Sequence, residues 1–168
     1  MQNAKDTFYE TLRSRIAAAN PERTIVLRGV VRPGALVEEN ELVSAVTIPD
    51  CFRLRWIDAS VDAANASPLA TLTCEVLYET AGTPGNGGLD RGRLLTERDG
   101  ELVAAVNVYP QKTLKQNYSA LASGGAAVAM STNIWWSDVV LGALIVKADR
   151  IGRTAKVTVM SCEEAGEL

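Results

Sequence analysis

The run from Ala70 to Thr80 constrains the fold of this chain more than any other stretch. Leu72, Cys74, Val76 and Tyr78 fall on one side of an extended backbone, and Thr71, Thr73, Glu75 and Leu77 fall on the other. Successive side chains of a strand point to opposite faces, so the alternation describes a half-buried strand with one face in a core.

Around this strand the other elements can be placed. From Ala4 to Ala19 the chain reads as an amphipathic helix, with Phe8, Leu12 and Ile16 forming one stripe of a 3.6-residue period. Asn20-Pro21 stops it, because a residue before proline is pushed out of the helical region. A β-branched run, Thr24 to Val31, reads as a strand that Pro33-Gly34 ends. Ala35 to Ala45 carries Glu38, Glu39 and Glu41 and reads as an acidic loop with room for a short helical turn. Cys51 to Ala59 reads as a second strand, in which Arg53 and Arg55 project from one face.

Asn65-Ala66-Ser67-Pro68 is a connection, and Ala81 to Gly88 is too rich in glycine and proline to be regular. Asp90 is placed to cap a helix from Arg91 to about Val106, with Leu95, Leu102 and Val106 facing inward. Val108 to Ser131 reads as the least ordered part, broken by Pro110 and dominated from Leu121 to Met130 by alanine and glycine. Ile134-Trp135-Trp136, Leu144 to Lys147 and Ala155 to Cys162 return to strand character, the last two joined as a hairpin. Strands therefore group on both sides of a helix without βαβ alternation. That order predicts one α+β domain over residues 1–168, with a mainly antiparallel sheet and two principal helices packed on one face.

The chain contains no histidine. Its absence excludes Ser-His-Asp and Cys-His catalysis, and with them most zinc and non-haem iron sites. Paired carboxylates, Ser-Lys pairs and carboxylate–magnesium sites stay open. The loop Gly82 to Gly92 lies between strand and helix, where phosphates bind. It lacks the Gly-Lys-Ser/Thr ending of a phosphate loop and places Asp90 where an anion would sit. Glu38, Glu39 and Glu41 lack the spacing of a calcium loop and read as a solvated edge. Cys51, Cys74 and Cys162 form no CxxC pair, and each lies in an apolar or alternating run where a free thiol behaves as a small hydrophobe. No catalytic residue, cofactor or metal is expected.

The net charge of −3 supplies no broad cationic surface for duplex DNA. The longest apolar run near a spanning length, Val139 to Val146, is far too short for a membrane helix. Met1 to Asp6 is polar and lacks the order of a signal peptide, which reads as cytoplasmic. Trp135 and Trp136 are adjacent, so one belongs to the core and the other to the surface or a subunit contact.

Several stretches together resemble the tail terminator proteins of bacteriophages. They are the helix Asp6 to Ala19, the strand exit from Val31 to Leu42 with its Arg32-Pro33 turn before acidic residues, and the alternating strand Ala70 to Tyr78. The helix opening at Leu89-Asp90-Arg91 and the closing strands that end at Cys162 complete the likeness. The region from Val108 to Thr132 is longer and richer in alanine and glycine than that pattern requires. The resemblance implies a virion protein of the tail and neck, assembled in the host cytoplasm as a homo-oligomeric, hexameric ring. Its implied partners are the tail tube protein and head–tail connector or neck proteins, with DNA passing through the lumen without sequence-specific binding. Other expectations of the same class are a head-completion, head–tail joining or tube protein; a small histidine-free α+β enzyme is the alternative from another class. Glu38, Glu39, Glu41, Arg53, Arg55, Trp135 and Trp136 are the candidate subunit contacts.

Overall fold

A computed structural model describes residues 1–41, 51–64 and 67–167. The end of the expected acidic loop (42–45) and the Asn65-Ala66 connection lie outside the described residues.

The N-terminal helix α1 spans Gln2–Ala19 and buries Ala4, Thr7, Phe8, Tyr9, Leu12 and Ile16, the expected stripe with three positions added. The expected strand Thr24 to Val31 is instead a hairpin, β1 (Thr24–Leu27) and β2 (Val30–Pro33). Arg28 and Gly29 turn it with φ of 51° and 77°, the pair of positive values a two-residue type I′ turn demands. Arginine is an unusual residue for that conformation, which is why composition alone concealed the turn. Next come a short β3 (Ala35–Val37) and a single helical turn α2 (Glu38–Glu41). A long hairpin follows, β4 (Phe52–Asp62) and β5 (Leu69–Thr80), then α3 (Arg91–Val106).

The stretch expected to be least ordered carries two strands. They are β6 (Lys112–Asn117) and β7 (Val128–Trp136), paired antiparallel around a 3₁₀ turn at Ser119–Ser123. The Gly82–Gly88 loop is likewise organised within the chain. Gly82, Gly85, Gly87 and Gly88 all have positive φ, and the Asp90 carboxylate accepts from the Thr83 amide and hydroxyl. The Asp90 carboxylate thus holds the loop and makes no cap bond to α3, whose Leu94 amide donates to the Asp90 carbonyl instead. The chain closes with β8 (Val140–Val146) and β9 (Ile151–Cys162), the expected hairpin.

Seven strands form one sheet, six of them in the order β3-β4-β5-β9-β7-β6 and β8 paired with β9 off that path, and every pairing except β3 with β4 is antiparallel. One edge of β9 lies along β5. The other meets β7 at Val159–Ser161 and β8 at Ile151–Lys156. Between these two segments Ser137 bridges the gap: its amide donates to Thr158 O (2.9 Å) and its hydroxyl accepts from the Thr158 amide (3.0 Å).

Both helices cover the same face. Leu72, Cys74, Val76 and Tyr78 of β5 and Ala155, Val157 and Val159 of β9 share one core cluster with α1 and with Leu95, Leu102, Ala105 and Val106 of α3. Phe8 meets the rings of Trp56 and Trp136 edge-on at 5.9 and 5.7 Å. No described helix covers the opposite face, which carries Thr73, Glu75 and Leu77 beside Thr154, Lys156 and Thr158. An antiparallel sheet tolerates this because one face can remain wet.

Candidate functional site

The acidic turn α2 ends at the centre of a polar cluster. One oxygen of Glu41 accepts from Arg13 on α1 and Arg32 on β2, each at 2.6 Å. The other accepts from the Tyr9 hydroxyl and, at 3.0 Å, from the Val37 amide. The Arg13 guanidinium also lies 4.1 Å over the Tyr9 ring. One carboxylate therefore ties α1, the β1–β2 hairpin and β3 together.

Beside it opens a cleft of about 320 Å³ lined by Asp6, Tyr9, Glu10, Arg13, Arg32, Asn40, Glu41, Tyr118 and Leu121. Desolvation raises the Glu10 carboxyl above its ordinary range, and the charges of Glu41 and Asp6 add to the effect. Asp6 is raised too, chiefly by desolvation. A second, more polar hollow of about 460 Å³ lies between Ser67-Pro68, Ser131-Thr132 and Glu163 to Gly166. Among the described residues no three His, Cys, Asp or Glu side chains gather as metal ligands.

The candidate contact residues are placed as follows. Glu38 faces Arg53 at 3.9 Å, and Arg55 pairs with Glu75 across the β4–β5 hairpin at 2.5 Å. Glu41 is engaged as above, and Glu39 is exposed. The arginine strand and the acidic turn thus find each other within one chain. Trp136 is buried and donates its indole N–H to Val106 O at 2.9 Å, while Trp135 on the opposite face is half-buried. The core-and-surface division of this pair follows from strand alternation. Tyr118 lines the α1 cleft.

Sequence reading missed Lys115. Strand alternation puts this side chain on the same face as Thr113, which is in register with the buried Ile134, and so points it into the protein. There it is fully buried and donates to Cys162 O (2.6 Å), Glu167 (2.5 Å) and Ser161 Oγ (3.2 Å). A strand reading Lys-Thr-Leu-Lys-Gln-Asn gives no apolar signal that one lysine faces inward.

Exposed apolar residues concentrate on hairpins and at the sheet edge. Val26 and Val31 face each other in register at the surface of the β1–β2 hairpin. Ile57, Val61 and Leu69 are exposed along the β4–β5 arm, and β8 is exposed throughout.

The class these features define is an α+β domain with an antiparallel sheet, helices on one face and apolar hairpins at its margins. No family model matches the chain, and no curated protein matches it. Among solved structures it is similar to a chain of the virion of a native gene transfer agent (GTA) particle. That likeness has 11% sequence identity and a TM-score of 0.27, covering 90% of this chain and 95% of the other. At that TM-score the likeness carries no argument for fold or function. No described helix is long and apolar enough to cross a membrane.

Proposed function

We propose that the chain is a structural subunit of a phage-type virion, and specifically the terminator that closes a tail tube as a homo-oligomeric ring. The observation that carries this reading is a pair of unlike exposed apolar surfaces: the β1–β2 hairpin with Val26 and Val31, and the β4 margin of the β4–β5 hairpin with Ile57 and Val61. Two different patches on one subunit make a heterologous contact, which closes into a ring when the rotation permits. The family resemblance of the sequence supplies the hexamer, the tube protein and the neck or connector proteins as partners, together with a place in the tail and neck. The charge of −3 suits a lumen through which DNA slides.

The candidate charges enter this reading differently from the sequence expectation. Arg53, Arg55, Glu38 and Glu41 are paired inside the chain, so the ring contact is apolar at its centre and polar at its rim. Electron microscopy of the purified protein with its tail tube tests the proposal. Rings at tube ends, lost on Val31→Glu, support it. Subunits along the tube make the chain a tube protein, and a monomer indifferent to tubes refutes the assembly role.

A second reading, a small enzyme working with paired carboxylates, draws on the raised Glu10 and Asp6 in the α1 cleft. Under the first reading Asp6→Asn with Glu10→Gln leaves ring formation intact and no turnover is lost. Catalysis that disappears with this double change favours the second.

A further inference from the structure

Strand β8 differs from the other strands in that all seven of its residues are exposed. Val140 is 65% exposed, Leu144 51% and Val146 71%, with Leu141 and Ile145 close behind. It pairs with β9, and its second edge has no partner among the described residues. Such an edge presents a row of N–H and C=O groups that another extended strand can satisfy. Of the protections found on most edges, a lysine or a proline within the strand is absent from Val140 to Val146, and the one device present is an irregularity between Leu141 and Leu144.

The strand also mirrors itself about Ala143. Val140 corresponds to Val146, Leu141 to Ile145, and Gly142 to Leu144. An identical strand laid antiparallel across a two-fold axis at Ala143 sets valine against valine and leucine against isoleucine. It also places Leu144 opposite Gly142, where no side chain competes for the space. The first charges beyond the strand are Asp138 before it and Lys147 after it. Antiparallel pairing brings Asp138 of one copy near Lys147 of the other, whereas parallel pairing sets like beside like. Each already has a partner in its own chain, Gln111 for Asp138 (2.9 Å) and Glu79 for Lys147 (2.6 Å). The charges therefore select orientation, and the backbone and apolar contacts supply affinity. The register irregularity between Leu141 and Leu144 falls on the axis, so both copies carry it at the same level and pairing continues on either side.

We propose that β8 is a homotypic docking edge, at which a second copy of this chain adds its own β8 antiparallel about a two-fold axis through Ala143. The two sheets then run on as one. This contact shares no residue with the two hairpins of the ring reading and does not depend on it.

Disulfide trapping tests the geometry. Directly opposed residues of an antiparallel pair lie about 4.5–5.5 Å apart at Cα, inside the range of about 4.4–6.8 Å that a disulfide spans. On mild oxidation Ala143→Cys should give a covalent dimer. Val140→Cys alone should not, and Val140→Cys combined with Val146→Cys should. Leu144→Lys, which sets an unpaired charge in the pairing edge, should weaken dimerisation by about tenfold or more in sedimentation, with an unchanged circular dichroism spectrum. A chain that stays monomeric at its highest soluble concentration overturns the proposal. So does a dimer that Leu144→Lys leaves intact. Rings that Leu144→Lys abolishes while Ala143→Cys fails to crosslink overturn it as well, because β8 then receives a different edge. The tube-end assay reads the terminator role separately, since Ala143→Cys and Leu144→Lys leave both hairpins untouched.

Discussion

Lys115 makes the sharpest test of how this fold is held. Replacing it with methionine keeps most of the volume and removes the ammonium that Glu167, Cys162 O and Ser161 Oγ share. The Glu167 side chain is only 5% exposed, so Lys115→Met strands a carboxylate in a site that water barely reaches. Removing one partner of a buried ion pair costs about 3–5 kcal/mol, a large part of the roughly 5–15 kcal/mol by which domains are stable. Urea unfolding followed by tryptophan fluorescence reads this as a fall in midpoint at unchanged slope.

The pH dependence gives a second handle on the same group. Burial raises the Glu167 carboxyl, but hydrogen bonds from Lys115, the Glu164 amide and Asn3 and the lysine charge outweigh it, so its pKa lies below the ordinary value. A depressed carboxylate contributes stability above its unfolded pKa and loses it as pH falls through the folded one. In Lys115→Met the lysine's hydrogen bond and charge are lost, so the carboxyl moves up from its depressed position. The variant's deficit should therefore be largest near neutrality and shrink as acid protonates Glu167. Lys115→Met with Glu167→Leu should recover much of the loss, since no stranded charge remains. A single variant within about 1 kcal/mol of the parent, or a double variant as unstable as the single, would refute the argument.

Two further outcomes follow from the geometry. Glu41→Gln should lower the Glu10 pKa only in part in an NMR titration, because desolvation is the larger cause and the Glu41 charge the next; no change would mean that the two carboxylates are not neighbours. Burial pushes the Cys51 thiol up to about 11 and the Cys74 thiol higher still, so thiol titration of the native protein should find Cys162 alone reactive. Rapid labelling of all three cysteines would show that the core opens readily.

How much of this was legible in advance depended on whether the information was local. The alternation of Leu72, Cys74, Val76 and Tyr78 and the stripe of Phe8, Leu12 and Ile16 named the core faces, because burial of one face is written into a 2.0 or 3.6 period. The limits of α3 were legible for the same reason, whereas the β8–β9 hairpin was expected with shorter strands, Leu144 to Lys147 and Ala155 to Cys162, because β8 has no buried face to mark it. The turn at Arg28-Gly29, the strand β6 and the inward Lys115 were not. A polar edge strand and an inward lysine are stabilised by what packs on them from far along the chain, α1 over β6 and Glu167 on Lys115, and a positive φ at arginine follows no pattern of its own residue type.

The candidate contacts show the same divide. Sequence picked out Arg53, Arg55 and the glutamates as charges free to meet a neighbour, and only the fold could bring Glu41 onto Arg13 and Arg32, and Glu75 onto Arg55. The sequence by itself determined which residues must leave water, since hydrophobic burial needs only pattern and composition. The tertiary structure decided which polar groups meet and which strand edges stay open, because both depend on strand order and register, and these are settled between segments distant in the chain.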